Sequence, residues 1–216
     1  MRGGDLVIWG ASGHARVVAD IVGLEGRFRL RGFLDDVDPR CRDFLGLPVF
    51  GGAEALVRLR AEGVSHLLFG FGNCQARLKL AELALREGFA LACAVHPAAV
   101  VAADAVLGEG TVVAAGAVVN PGSRIGANVI VNTRASVDHD CRIGDGVHLC
   151  PGTTLGGGVI VGKAAWIGIG STVMDHVTIG AGALIGAGSV VVRDVPAGVV
   201  AYGVPARIKG ESGHGE

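Results

Sequence analysis

The residues whose types and spacing can do chemistry lie near the middle of the chain. In Ala135-Ser136-Val137-Asp138-His139-Asp140-Cys141, a histidine stands between two aspartates inside a long stretch that otherwise avoids charge. An imidazole beside a carboxylate can act as a general base. Asp140 would orient the ring and stabilise its protonated form, raising its basicity; Asp138 reads as a turn residue. His148 follows nine residues later, and Gly157 eighteen residues later within Leu155-Gly156-Gly157-Gly158-Val159. Other histidines have plainer settings: His66 and His96 border strands, His176 sits in a turn-like Met174-Asp175-His176-Val177, and His214 lies in a polar tail. None has a partner at metal-ligand spacing, so no metal is expected. Cys141 and Cys150 are close by, but Cys141 falls where a small side chain points inward, and burial makes a thiol a poor nucleophile.

What positions His139 is the repeat around it. From Val101 to Val191 a branched aliphatic occupies every sixth position without a slip, Val137, Ile143, Leu149 and Leu155 among them. Four residues after many of these stands something small, such as Thr111, Ser123, Ala135, Cys141 or Thr153. A six-residue period means one short strand and one turn per repeat, stacked as a β-solenoid. The aliphatics fill the interior and the small residues fit the corners. The Gly or Asn that often follows the aliphatic is expected to take the turn conformations that other residues resist.

The pattern resembles the left-handed parallel β-helix of the hexapeptide-repeat acyltransferases, where three hexapeptides close a triangular coil and residues 18 apart stack. Handedness follows from that resemblance, because parallel crossovers are otherwise right-handed. On this geometry Gly157 lies one strand spacing, about 4.8 Å, from His139. A glycine there lets a carbonyl approach a bare N–H, as an oxyanion donor requires. His148, half a coil on, points away from His139 within one chain. If both serve one site they come from different subunits, so an oligomer is expected.

Residues 1–97 read differently, as a small Rossmann-like α/β domain with a parallel sheet. Strands are expected over 5–10, 30–36 and 66–72, with a last one over 90–97 stopped by Pro97. Helices are expected from His14 to Gly26, over 53–63 and from Cys74 to Gly88. Gly10-Ala11-Ser12-Gly13-His14 lies between the first strand and helix, where backbone N–H groups can meet a phosphate. It is not Gly-x-Gly-x-x-Gly, so the dinucleotide fingerprint fails. Asp35-Asp36 ends the second strand, where an acid can hold ribose hydroxyls. Gly72 and Asn73 end the third at the same sheet edge. Residues 98–216 form the second domain.

Composition excludes several classes. A net charge of −1 and only 5% aromatic residues argue against nucleic acid or a membrane surface as partner. No apolar run approaches the ~20 residues of a membrane span, and the N-terminus lacks a signal-peptide core. Five cysteines with no Cys-x-x-Cys pair suit a reduced, cytoplasmic setting.

A narrower resemblance then covers nearly the whole chain. Gly10-Ala11-Ser12-Gly13-His14-Ala15-Arg16, Phe33-Leu34-Asp35-Asp36, Gly70-Phe71-Gly72-Asn73, Asn132-Thr133-Arg134-Ala135-Ser136-Val137-Asp138-His139-Asp140-Cys141 and Tyr202-Gly203-Val204-Pro205-Ala206-Arg207 together look like the bacterial nucleotide-sugar N-acetyltransferases of 4-amino-sugar pathways (bacillosamine, perosamine), a group related to the sialic-acid O-acetyltransferases. The resemblance implies acetyl-CoA as co-substrate, a nucleotide-linked amino sugar as acceptor, a surface-glycan role and a homotrimer. It implies nucleotide contacts from Ser12, Gly13, His14, Asp35, Asp36 and Gly72, and His139 as base with Asp140 beside it. It puts Asn132 near the sugar amine, His148 and Gly157 at the thioester, and Ile169 and Ala187 along the pantetheine arm. Relatives often carry Glu after the histidine, and Asp140 is a methylene shorter. Transfer to a sugar hydroxyl remains open, as do the nucleotide base and the sugar. Serine O-acetylation leaves the Ser12-Gly13-His14 domain without a task. A non-catalytic scaffold or a carbonic-anhydrase-like zinc protein is a further class, but zinc needs a third histidine.

Overall fold

A computed structural model describes residues 3–212; His214 lies outside them. The chain divides into two compact units at Pro97/Ala98. In the first, β1 (Asp5–Trp9) leads to α1 (Gly13–Glu25), β2 (Arg29–Leu34), β3 (Arg42–Phe44), β4 (Leu47–Val49), α2 (Leu56–Ala61), β5 (Val64–Phe69), α3 (Cys74–Arg86) and β6 (Ala90–Leu91). The sheet order is β3-β4-β2-β1-β5-β6, with β2, β1, β5 and β6 parallel. Alternation along β1 buries both faces. Val7 and Trp9 pack with Leu56 and Leu59 of α2 and Ala81 and Ala84 of α3, whereas Ile8 faces the α1 side, where Ala15 lies close to Gly70.

The connection runs from β1 out to β2 and then back across to β5. Strand order therefore reverses at β1, and in such sheets the crevice beyond the strand C-termini is the usual ligand position. Gly26 ends α1 at φ +64, as its sequence position suggests. The β3–β4 hairpin has no counterpart in the sequence reading. Its turn uses Leu45 and Gly46, both at positive φ, and a leucine there carries no turn signal. The strand expected over 90–97 is split into β6 and Ala94–Val95.

The second unit is a left-handed parallel β-helix. Two-residue strands pair with those 18 residues away on three faces. One runs Val118, Ser136, Thr154, Thr172; one runs Arg124, Arg142, Ile160, Thr178; one runs Ile130, His148, Trp166, Leu184. Interior aliphatics from Val113 to Val191 are buried, while Val101 and Leu107, in the first coil, are partly exposed. The small corner residues do more than fit. Hydroxyls of Thr111, Ser123 and Ser171 donate to the carbonyls of Gly126, Asp138 and Gly186 in the next coil, at 2.7–2.9 Å. Each such bond contributes about 1 kcal/mol net and ties a corner to its neighbour.

The turn glycines need a correction. Left-handed backbone falls three residues after the aliphatic, at Gly122, Asp140, Gly158 and His176 in one column. The glycines directly after the aliphatic serve close approach instead. A Cβ on Gly144 would lie 2.6 Å from Lys163 N in the next coil. Among the described residues no helix is long and apolar enough to cross a membrane.

Candidate active site

His139 and Asp140 form the corner between the strands Ser136–Val137 and Arg142–Ile143. Asp140 adopts φ +59, a conformation that costs an L-residue roughly 1–2 kcal/mol relative to the right-handed one. It carries the carboxylate to the imidazole: His139 Nδ1 donates to Asp140 Oδ2 at 2.9 Å. The contact is direct despite the shorter acid, because the turn backbone rather than side-chain length closes the gap. A carboxylate only accepts, so the proton sits on Nδ1 and Nε2 of the neutral ring carries the free lone pair. The Asp140 hydrogen bond, and after it the charge of Asp138, raises the His139 pKa above the usual imidazole value.

Two glycines make room for this pair. In the coil below, a Cβ on Gly122 would lie 2.5 Å from Asp140 Oδ1. In the coil above, a Cβ on Gly157 would lie 2.5 Å from His139 Nε2 and 2.6 Å from Cε1. The imidazole thus lies across a buried Gly157 backbone. Asp138 is more engaged than a turn residue need be. Its Oδ1 accepts from the His139 N–H at 2.7 Å and from Asn120 Nδ2 at 3.0 Å. Cys141 is buried, donates its thiol to Gly156 O at 3.2 Å, and has its pKa pushed up by burial.

The other predicted solenoid residues gather at a different corner, the one following the His148–Leu149 strand. His148, Ile169 and Ala187 line a groove of about 290 Å³ with Pro151, Trp166 and Leu184. Asn132 belongs here too, within this chain, and not beside His139. Its Oδ1 accepts from the Thr133 N–H at 2.8 Å, which turns Nδ2 toward His148 Nε2 at 3.0 Å. Trp166 meets the His148 ring edge-on at 4.5 Å. A mainly apolar groove with one polar end suits a thioester-bearing chain.

In the N-terminal unit, Gly10, Asp35 and Gly72 lie just past the C-terminal ends of β1, β2 and β5. Ser12 is the N-cap of α1 without using its side chain as a cap, and a Cβ on Gly13 would meet nothing within 4 Å. The start of α1 therefore has open space beside Gly13, and a helix N-terminus can take an anion. Both acids carry structural bonds. Asp36 accepts from Trp9 Nε1 and from Ala53 N, each at 2.8 Å. Asp35 accepts from Arg42 at 2.7 Å, a tie made by the unforeseen hairpin. His14 is pushed down to about 4 by burial first and the Arg77 charge second, so it is neutral at pH 7.

Arg77 went unnoticed in the sequence reading. It is buried to 1% exposure on α3 and donates to Gly72 O at 2.5 Å. The signal was present: Arg77 falls on the inward stripe Cys74, Arg77, Ala81, Ala84 of its helix. Among the described residues no group of three or more His, Cys, Asp or Glu could hold a metal ion.

Residues 5–84 match the PglD N-terminal domain, and residues 122–157 and 158–193 match the bacterial transferase hexapeptide (six repeats). PerB from Caulobacter crescentus, solved with CoA and GDP-perosamine, is 47% identical over 96% of this chain and 98% of its own, with a TM-score of 0.92. The chain belongs to the hexapeptide-repeat nucleotide-sugar N-acetyltransferase family. Within that family the acetyltransferase domain of PglB from Neisseria gonorrhoeae FA1090, solved with acetyl coenzyme A, is 37% identical over 95% and 98% of the two chains, with a TM-score of 0.88. WeeI from Acinetobacter baumannii AYE is 28% identical over 94% and 99%, with a TM-score of 0.87. No curated protein matches the chain.

Proposed function

We infer that this chain is an acetyl-CoA-dependent N-acetyltransferase acting on the amine of a nucleotide-linked amino sugar. The observation that carries the reading is the His139–Asp140 pair lying over Gly157, in a chain 47% identical to PerB along almost its full length. The acceptor we favour is the C4 amine of a GDP-linked sugar of the perosamine kind, feeding surface-glycan synthesis. His139 Nε2 takes a proton from the amine as its nitrogen bonds to the thioester carbonyl carbon. The tetrahedral centre then expels the thiolate, which leaves as coenzyme A thiol carrying that proton. The Gly157 N–H is the oxyanion donor in this reading. Most of the acceleration comes from holding the two substrates in line.

Ser12, Gly13, His14, Asp35, Asp36 and Gly72 bind the nucleotide in this proposal, with His14 acting as a neutral hydrogen-bonding group. His148, held by Asn132, meets the acetyl end of acetyl-CoA, and Ile169 and Ala187 line its pantetheine arm. These residues and His139 occupy different corners of the coil. Six residues separate successive corners, a path of at most ~20 Å. A ring of three copies, in which one corner of each subunit meets the other corner of the next, supplies a closed heterologous interface and unites the two sets. Acetyl-CoA supply and five cysteines with no Cys-x-x-Cys pair support a cytoplasmic setting.

The test is thiol release from acetyl-CoA across a panel of nucleotide-linked 4-amino sugars. One member should drive turnover, and His139→Ala should lower it by roughly 10²–10⁴-fold while the protein stays trimeric. Near-normal turnover in that variant sinks the base assignment.

A further inference from the structure

The His139 turn is tied to the coil beneath it by side chains that the reaction as written does not use. Asn120, 18 residues before Asp138, donates Nδ2 to Asp138 Oδ1 at 3.0 Å. The same oxygen accepts the His139 N–H at 2.7 Å. Ser123 adds a second tie, its hydroxyl donating to Asp138 O at 2.7 Å and accepting from Cys141 N at 3.2 Å. Asp138 therefore sits at the centre of a bridge that begins on the coil below and ends on the backbone of the base.

We propose that Asn120 is a positioning residue for the transfer reaction, acting on His139 through Asp138. The inference rests on His139 being the base, as argued above. Asn120 pins one carboxylate oxygen so that Asp138 stays a fixed negative charge near His139 and a fixed acceptor for the His139 amide. Without that pin, Asp138 keeps a single partner on a half-exposed corner and can rotate into solvent. Asp140 then orients the ring on a turn whose first residue is no longer held.

Electrostatics agree with this division of labour. The His139 amide, and then the Asn120 amide, hold the Asp138 carboxyl below the ordinary carboxylate range. Asp138 is the second cause, after the Asp140 bond, of the raised His139 pKa. Beside Asp140 and the buried Cys141 thiol, which feels the Asp138 charge, the other ionisable groups on this column lie two coils away on either side. Below, Asp104 accepts from Gly122 N at 3.0 Å. Above, Asp175 lies against Gly156 and His176 against Gly158. None of these touches the bridge that Asn120 makes, so they form a constant background for its removal.

The experiment measures His139 directly, without substrate, by NMR titration of the imidazole C–H in trimeric protein labelled at histidine. His139→Gln identifies the resonance. Asn120→Ala should move the His139 titration to lower pH. Asp138→Asn, which keeps the shape but removes the charge, should move it by roughly 0.5 unit, the scale of one charge a few ångströms away in water. Asn120→Ala placed in the Asp138→Asn background should add almost nothing, because both changes act through one bridge. A His139 titration unchanged in Asn120→Ala overturns the proposal, as does full additivity in the double variant. Steady-state rates on the same proteins separate the two claims. A shifted titration with kcat lowered about tenfold and both KM values kept supports positioning and base together. A shifted titration with unchanged kcat overturns Asn120 as a positioning residue for the transfer, while the base assignment itself stands or falls on thiol release by His139→Ala. Should Asn120→Ala fail to assemble, Asn120→Thr tests the same bond, since its hydroxyl is too short to span to Asp138.

Discussion

Replacing Gly157 by alanine separates the cost to the fold from the cost to the reaction. The added Cβ would lie 2.5 Å from His139 Nε2 and 2.6 Å from Cε1, while ordinary carbon contacts begin near 3.5 Å. The imidazole must therefore retreat by about 1 Å. The fold tolerates this easily. Gly157 is not at positive φ, the obstructing atoms end a side chain that is 59% exposed, and an alanine lowers the entropy of the unfolded chain by an amount worth about 0.4–1 kcal/mol. The reaction does not tolerate it, because a misplacement of about 1 Å at the reacting centre can cost about 100-fold in rate, or roughly 2.7 kcal/mol of transition-state stabilisation. We therefore expect Gly157→Ala to unfold at the wild-type temperature or slightly above and to release thiol about 100-fold more slowly at saturating acetyl-CoA. Activity within threefold of wild type, in protein of unchanged melting temperature, would refute the close stacking of His139 on Gly157 as a catalytic requirement.

Two other variants probe the scaffold and the N-terminal unit. Gly144→Ala puts a Cβ 2.6 Å from the Lys163 backbone nitrogen, which cannot swing aside. Thermal melting should show a loss of about 1–3 kcal/mol from overpacking; an unchanged Tm counts against tight coil stacking. The pKa of His14, lowered by burial to about 4 from the ordinary imidazole value of 6.5, gives stability that is complete above the unfolded value and lost as pH falls toward the folded one. Between pH 7 and pH 5 the wild type should lose about 2 kcal/mol more than His14→Gln. Trp9 fluorescence in a Trp166→Phe background reads it through urea unfolding, and parallel pH profiles for the two proteins would contradict the burial of a neutral imidazole.

Much of this site was legible in the sequence because a solenoid turns position along the chain into position in space. Once the six-residue period is read, Val137 and Leu155 must point inward, and His139 must fall on a corner. With 18 residues per coil, Gly157 must then stack on it. The loop at Ser12-Gly13-His14 was legible for a related reason: a strand followed by a helix needs a turn whose amides face outward. The sequence also carried the Arg77 signal, in its place on the inward stripe of α3, although a charged residue there is easily passed over.

Tertiary structure alone decided what depends on side chains meeting across unrelated spacings. Asp36 meets Trp9 and Ala53, and Asp35 meets an arginine on the β3–β4 hairpin that no local signal announced. Asn132 turns to His148, sixteen residues on, a separation that matches neither the repeat nor the coil. How the left-handed backbone at Asp140 aims a short acid at the imidazole shows only in the fold, because the column it shares with Gly122 and Gly158 sets the backbone conformation but not the side-chain direction. The periodicity of the chain determined which residues share a corner. Packing between coils decided how each was aimed, because hydrogen bonds and excluded volume act between atoms that the repeat brings near but does not orient.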